Sequence, residues 1–430
     1  MKKIVVILLS MVLMVSLTAC GSKKTVNVGE SSAENDGSVE IDFWYSLGGK
    51  NGEVIQGMVK EFNESQDEVT VNATFQGDYY ENHAKVLSAI PAGTQPDVTM
   101  IEIASIGAFA EAGALEDLKP YVEGENGINL NDFVKGLMGN SYWKDTLYAI
   151  PFNRSTPLLY LNRDMLEKAG LDPAGPKTWN ELREYARALT KKDEIFGFST
   201  PIDIWFYEAL VFENGGGILS ADGTKPAFNS PEGIEPVEFW QEMIDEGIMK
   251  RPPGEKYNAW DVARQDFINQ KVGMIFTSTG SLNMLMEQAQ GFEVGTAFLP
   301  AKKSYGVPTG GTNLVILSKS SSEEKKAAWK FIKFMTSQEQ TIHWSKSTGY
   351  MPVRVSAVES AEMKKLYAEK PQFKVAVDQL EYAKPRPMVP GYKELQEIIM
   401  NEIQRAIIDD SISAKEALDA AAQKAEKLLK

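Results

Sequence analysis

The chain has 430 residues, of which 59 are acidic and 45 basic, giving a net charge of -14 at pH 7. It carries no basic stripe that could replace the counterions of a nucleic acid, so that class of partner is excluded. Hydrophobic residues make up 43% and aromatics 10%, and the length exceeds what a single core usually fills, so two lobes are expected.

Lys2 and Lys3 open the chain, Ile4 to Val15 form an apolar stretch, and Ser16-Leu17-Thr18-Ala19 lead into Cys20. A basic start, a short apolar run and small residues before a cysteine resemble a bacterial lipoprotein signal. The run is shorter than the roughly 20 residues a membrane span needs. Residues 1–20 are therefore expected to be an export leader, with Cys20 acylated and the mature protein anchored by lipid to the outer face of the cell membrane or in a periplasm. The competing reading is an ordinary signal peptide that ends near a cysteine, but Cys20 is the only cysteine and a free thiol outside the cell is a liability. Losing Lys2 and Lys3 moves the charge from -14 to -16. Gly21 to Ser38, rich in Gly, Ser, Lys, Glu and Asn, has almost nothing to bury and reads as a flexible tether.

The folded part opens with an alternating strand, Val39 to Tyr45. Apolar residues at Val54, Ile55, Met58, Val59 and Phe62 follow with a helical period. A strand from Val69 to Phe75, a helix from Tyr80 to Ile90 and a strand from Val98 to Glu102 continue the alternation, which predicts βαβ units and a mainly parallel sheet. Beyond Tyr148 to Phe152 come a strand at Pro157 to Asn162 and helices at Arg163 to Ala169, Trp179 to Leu189, Trp205 to Phe212, Pro231 to Glu246 and Ala259 to Asn269. With the buried strand Gly273 to Phe276 these make a second α/β lobe. The strand Asn313 to Leu317 is expected to return to the first lobe. Ser321 and Ser322 then cap a helix through Phe334, and two helices, Tyr392 to Ile408 and Ser413 to Leu429, close the chain. No repeat of 20 to 50 residues is visible. The first lobe is assigned residues 39–151 and 308–350, and the second 152–307 and 351–430.

Several segments converge on one family: Phe43-Trp44-Tyr45-Ser46, Gly77-Asp78-Tyr79-Tyr80, Asn153-Arg154-Ser155-Thr156-Pro157, Ala169 to Trp179, Ser278-Thr279-Gly280-Ser281-Leu282, Gly310-Gly311-Thr312 and Thr348-Gly349-Tyr350-Met351-Pro352. Across everything after the tether, the chain resembles the extracellular solute-binding proteins of bacterial ABC importers, in the sugar and glycerol-derivative group, and within it the glycerol-3-phosphate-binding branch. The resemblance implies a two-lobed α/β clamshell of the periplasmic-binding-protein type with a hinge between its lobes. It also implies a monomer that delivers a small molecule to membrane permease subunits without catalysis or a cofactor. The implied ligand is glycerol-3-phosphate or a glycerophosphodiester, with a sugar or oligosaccharide as the alternative.

The same resemblance assigns hydroxyl ligands to Ser155, Ser278 and Tyr350, a backbone amide to Gly311 and a ligand-contacting phenol to Tyr79. Hydroxyls and amides satisfy phosphate oxygens without burying further charge, and a Gly-Gly pair lets the main chain approach closely. Ser278 alternatively caps the helix predicted from Leu282 to Gln290. Arg386, in Lys384-Pro385-Arg386-Pro387, is the candidate phosphate cation, since a guanidinium gives two parallel charge-assisted bonds; Arg154 is the alternative. Direct alignment from the following helix puts the family arginine at Met388, so Arg386 fills the role through a loop shift. Its truncation to alanine is expected to weaken phosphate binding and to leave folding nearly intact. Glu102, at the carboxyl end of its strand, faces the crevice of an open α/β sheet and would accept polyol hydroxyls, although gap-free alignment puts the family glutamate at Ile103. Trp205 offers a stacking wall, with Trp44, Tyr45 and Trp260 as secondary candidates.

An enzyme is the rival class. His83 and His343 are far apart and without cysteine partners, so metal-ligand spacing is absent. Neither a Gly-x-Ser-x-Gly elbow nor a phosphate-binding Gly-Lys-Ser/Thr loop occurs, and no carboxylate pair is singled out for glycoside hydrolysis.

Overall fold

The computed structural model describes residues 38–251 and 259–429. The leader, Cys20 and the tether up to Gly37 lie outside the described residues. In chain order the principal strands are β1 (Val39–Tyr45), β2 (Val69–Phe75), β3 (Val98–Glu102), β4 (Ile150–Ser155), β5 (Pro157–Asn162), β6 (Phe196–Ser199), β7 (Val272–Ser278), β8 (Val294–Ala297), β9 (Val307–Pro308), β10 (Gly310–Ile316) and β11 (Ala383–Lys384).

The first sheet has the order β2-β1-β3-β10-β4 and the second β8-β5-β7-β6. In β1, Ile41, Phe43 and Tyr45 face a core while Glu40 and Asp42 stay exposed, as the period of two requires. The strands β3, β4, β5 and β10 are buried along their whole lengths, because both faces are covered by helices. The expected parallel character holds only where βαβ units build the sheet. β1 runs parallel to β2 and to β3, whereas β10 is antiparallel to both β3 and β4, because it re-enters from the other lobe rather than through a crossover helix. The second sheet is likewise mixed, with β5 antiparallel to β7 and β8 and only β6–β7 parallel.

The junction between the two halves is built from short crossings. Thr156 alone separates β4 from β5, and Thr309 alone separates β9 from β10. β9 pairs in parallel with β11. Residues 351–358, grouped by the sequence reading with the second lobe, instead join the first: Val353 O accepts the Val134 amide at 2.9 Å and Arg354 pairs with Asp132 at 3.2 Å. The Gln372–Gln379 helix returns to the second sheet, Gln372 Nε2 donating to Val294 O and Gln379 Nε2 to Pro157 O.

The ten residues of the Ile204–Glu213 helix, IWFYEALVFE, are all buried. A helix apolar on every side belongs in an interior, and this one carries two acids, Glu208 and Glu213, into it. The Gln338–Thr348 helix was not foreseen, because its buried face is built largely from Gln340, Thr341, Ser345 and Thr348 and shows no apolar period. Among the described residues no helix is long and apolar enough to cross a membrane.

Candidate functional site

Between the two sheets lies a cavity of about 420 Å³, within the range of small-molecule sites. It continues into an outer chamber of about 760 Å³ that shares Leu47, Asp78 and Tyr79 with it. Tyr79, Glu102, Ser155, Trp205, Ser278, Gly311, Tyr350 and Arg386 all line the inner cavity.

Tyr79 is the first residue of the Tyr79–Ala92 helix, whose start is fixed by a capping box between Asp78 and Glu81. Its hydroxyl accepts a bond from Asn153 Nδ2 at 2.8 Å and lies 3.3 Å from the Tyr350 hydroxyl. Burial and the neighbouring Tyr350 push its ionisation well above the ordinary tyrosine range, and burial also raises that of Tyr350, so both present neutral hydroxyls. The Tyr350 ring stacks on Trp344, with centroids 5.4 Å apart.

Gly310 and Gly311 begin β10 beside Ser155 and Arg154. Gly311 has φ +88°, and a Cβ there would fall 1.8 Å from Asn153 O, so only glycine fits. At Gly310 a Cβ would meet the Trp205 ring at 2.5 Å and Ser155 Oγ at 3.1 Å, which shows how closely the indole approaches the main chain. Trp205 Nε1 donates to Thr309 O at 3.3 Å, and its ring stacks with Trp260, centroids 6.2 Å apart at 30°. Ser278 caps a 3-10 turn, its Oγ accepting the Gly280 amide at 3.1 Å. Because Oγ is the acceptor in that bond, its own hydrogen remains available to the cavity. The helix beyond starts at Leu282 and ends at Gln288.

Arg386 has the most elaborate surroundings. Its Nε donates to Glu208 Oε2 at 2.6 Å, Nη2 to Glu208 Oε1 at 3.2 Å and Nη1 to Glu102 Oε1 at 2.6 Å. Asn140 clamps its main chain, Nδ2 donating to Arg386 O at 3.0 Å and Oδ1 accepting Arg386 N at 3.3 Å. Burial works against the guanidinium charge, but Glu208 and Glu102 together outweigh it and hold the proton. Burial raises the Glu208 carboxyl, with Arg386 opposing. The Tyr392 hydroxyl also donates to Glu208. Arg386 lines the cavity and Met388 does not; Met388 packs against a separate apolar cluster. Likewise Glu102 lines the cavity while Ile103 is fully buried in core. One sequence expectation needs correction. Truncating Arg386 would leave two buried carboxylates without a cation, so folding would not stay nearly intact.

Arg154, the alternative cation, turns away from the cavity. Nε donates to Gly310 O, Nη1 to Leu137 O and Asn313 Oδ1, and Nη2 to Thr309 Oγ1, at 3.0, 2.5, 3.2 and 2.6 Å. Of the secondary aromatics Trp260 lines the cavity, whereas Tyr45 is core and Trp44 packs against a neighbouring cluster. The sequence reading missed Asp203, Arg264, Lys393 and Glu208. Asp203 caps the Ile204–Glu213 helix through the Trp205 amide and accepts Trp260 Nε1 at 3.2 Å. Lys393 lies 3.3 Å over the Tyr80 ring, and burial lowers its pKa. An acid inside a wholly apolar run was the available signal for Glu208. The cavity wall carries three acids, Asp78, Glu102 and Asp203, against three bases, Arg264, Arg386 and Lys393, so it is locally balanced on an acidic protein.

Residues 57–374 match the family model for bacterial extracellular solute-binding proteins. The chain belongs to that family. It is a substrate-binding protein of the ABC-transporter type, a class that binds rather than catalyses. The sn-glycerol-3-phosphate-binding periplasmic protein UgpB of Pectobacterium atrosepticum is 26% identical over 423 residues, covering 93% of each chain. UgpB of Mycobacterium tuberculosis, solved in complex with glycerophosphocholine, superposes with a TM-score of 0.80 at 26% identity over 91% of this chain and 98% of that one. An ABC transporter solute-binding protein of Thermotoga lettingae bound with alpha-D-tagatose gives 0.79 at 25% identity over 91% and 100%. These likenesses fix the fold of this solute-binding protein as the two-lobed α/β clamshell expected from the sequence.

Proposed function

We propose that this solute-binding protein captures glycerol-3-phosphate or a glycerophosphodiester in the cavity between its two sheets and hands it to a membrane permease. The reading is carried by one observation: hydroxyls from Ser155, Ser278, Tyr79 and Tyr350, the Gly311 backbone and the Arg386 guanidinium surround a single cavity. Neutral donors with the Arg386 cation, beside Arg264 and Lys393 on the same wall, suit a phosphate, Glu102 suits the hydroxyls of a polyol, and Trp205 suits its C–H face. The two lobes are the bodies built on the two sheets, and their closure around the ligand is a hinge motion at the Thr156 and Thr309 crossings. The protein acts as a monomer held to the outer membrane face through acylated Cys20.

The stacked Trp205–Trp260 pair favours a second reading, a sugar ligand held against aromatic faces. A thermal-shift panel of glycerol-3-phosphate, glycerophosphocholine, maltose and tagatose separates the two. A ligand that binds only the folded state stabilises it by about 2.7 kcal/mol at a hundred times its Kd, so the melting temperature should climb with either phosphate. A climb with the sugars alone would replace the proposal with the sugar reading.

A further inference from the structure

Leu47, in the turn after β1, has φ +82°, in the left-handed region that is costly for leucine and free for glycine. The turn itself needs that conformation. Leu47 O closes down on the first turn of the Gly49–Glu64 helix, where a Cβ at Gly52 would fall 2.7 Å from it. A glycine would meet this need without strain, so the backbone does not account for the leucine side chain. That side chain is half-buried against the main apolar core, and the residue lines both the inner cavity and the outer chamber.

The two chambers meet around Leu47, Asn51 and Asp78 from one lobe and Arg264 and Ser281 from the other. Among the described residues common to both chambers, Leu47 alone has an aliphatic side chain. Of the groups proposed for the phosphate, Tyr79 belongs to both chambers, and Ser278 leads into Ser281, which does as well. Glu102 and Trp205, proposed for the glycerol, line the inner cavity only.

We propose that the Leu47 side chain is the partition between the chambers and confines the ligand to the inner one, so that the protein selects glycerol-3-phosphate over its diesters; this inference rests on the glycerol phosphate reading above. With the phosphate beside the junction, a monoester ends there and needs nothing from the outer chamber. A diester carries a second alcohol on the phosphate, and the room for it is the outer chamber of about 760 Å³, reached past Leu47. A polar head group in that passage loses water and gains no hydrogen bond from an aliphatic side chain.

The test is calorimetric titration of wild-type protein and Leu47→Gly with sn-glycerol-3-phosphate, glycerophosphoglycerol and glycerophosphocholine. Wild type should bind the monoester about 10-fold or more tightly than either diester. Leu47→Gly suits the backbone of the turn and opens the passage, so the ratio of diester to monoester affinity should rise on the order of 10- to 100-fold, the range that one methylene of steric fit commands. The rise should appear for the uncharged and the cationic head group alike. A folded Leu47→Gly protein with an unchanged ratio overturns the inference, and so does a rise for only one of the two diesters, which would make head-group charge the criterion. Where Leu47→Gly does not fold, Leu47→Ala decides by the same ratio, with a rise of about 3-fold expected and no rise overturning the inference. Wild type that binds the diesters as tightly as the monoester also overturns it and leaves the glycerol phosphate reading standing. Wild type that binds sugars and not glycerol-3-phosphate removes that reading and this inference together.

Discussion

Two arginines are buried near the junction of the lobes, and their surroundings differ in one respect. Arg154 is satisfied by neutral acceptors, three carbonyl-type oxygens and a threonine hydroxyl, from β10, its approach at Thr309 and the segment at Leu137. Arg386 is satisfied by two carboxylates. Burial pulls the Arg154 pKa down to about 9, with Glu102 resisting and Arg386 assisting, whereas the carboxylates beside Arg386 hold its charge. A guanidinium among carbonyls ties chain crossings together, and Arg154 spends four of its five N–H donors on the protein. On the function proposed above, one whose carboxylate partner lies on a cavity wall is the one that meets a ligand anion. Both are buried arginines, and what separates them is the partners: neutral oxygens for Arg154 and carboxylates for Arg386.

The largest effect that would sharpen this contrast comes from Arg386→Ala. Removing one member of a buried ion cluster typically costs about 3–5 kcal/mol, and the loss of a charge-assisted fork should weaken glycerol phosphate binding by about 100-fold. Chemical denaturation and calorimetry read the two losses separately. Adding Glu208→Gln to this variant should restore part of the stability and none of the affinity. Wild-type affinity in Arg386→Ala would break the contrast outright. Arg154→Ala comes next, with an expected stability loss of about 2–4 kcal/mol from stranded acceptors and a cavity. At temperatures where the variant remains folded, its affinity should fall far less than that of Arg386→Ala. Equal losses of affinity in the two variants would mean that Arg154 also reaches the ligand.

A smaller effect concerns the two acids of the Ile204–Glu213 helix. Glu208 has a cation; among the described residues Glu213 has only the Trp179 indole, whose Nε1 donates to Oε2 at 2.9 Å, and its Oε1 has no partner there. Burial raises the Glu213 carboxyl well above its ordinary value, opposed by the Trp179 bond. The folded state therefore keeps this proton while the unfolded chain releases it near pH 4.5, and stability falls as pH rises from there toward the raised pKa. Glu213→Gln retains the acceptor for Trp179 and removes that slope. Melting temperatures at pH 5 and pH 8 should differ less in the variant than in wild type, and an unchanged difference would show that Glu213 ionises freely in the fold.

Much of this was legible in the chain. The alternation in β1, the helix read from Tyr80 to Ile90 and the helix read from Trp205 to Phe212 all depend on neighbours a few residues away, and local patterns report such features directly. The Gln338–Thr348 helix escaped because it buries polar side chains. The antiparallel return of β10 escaped because strand direction depends on where the chain re-enters the sheet.

The sequence by itself determined the α/β elements, the supply of hydroxyl, glycine and aromatic groups, and the short list of candidate cations. Tertiary structure alone decided that Arg386 and not Arg154 faces the cavity, together with Arg264 and Lys393. Arg386 and Glu102 stand 284 positions apart and Arg386 and Glu208 stand 178 apart, so no periodicity or spacing links them. Their meeting depends on a proline-flanked loop clamped by Asn140, and the charge of a buried group is set by whatever the fold puts beside it.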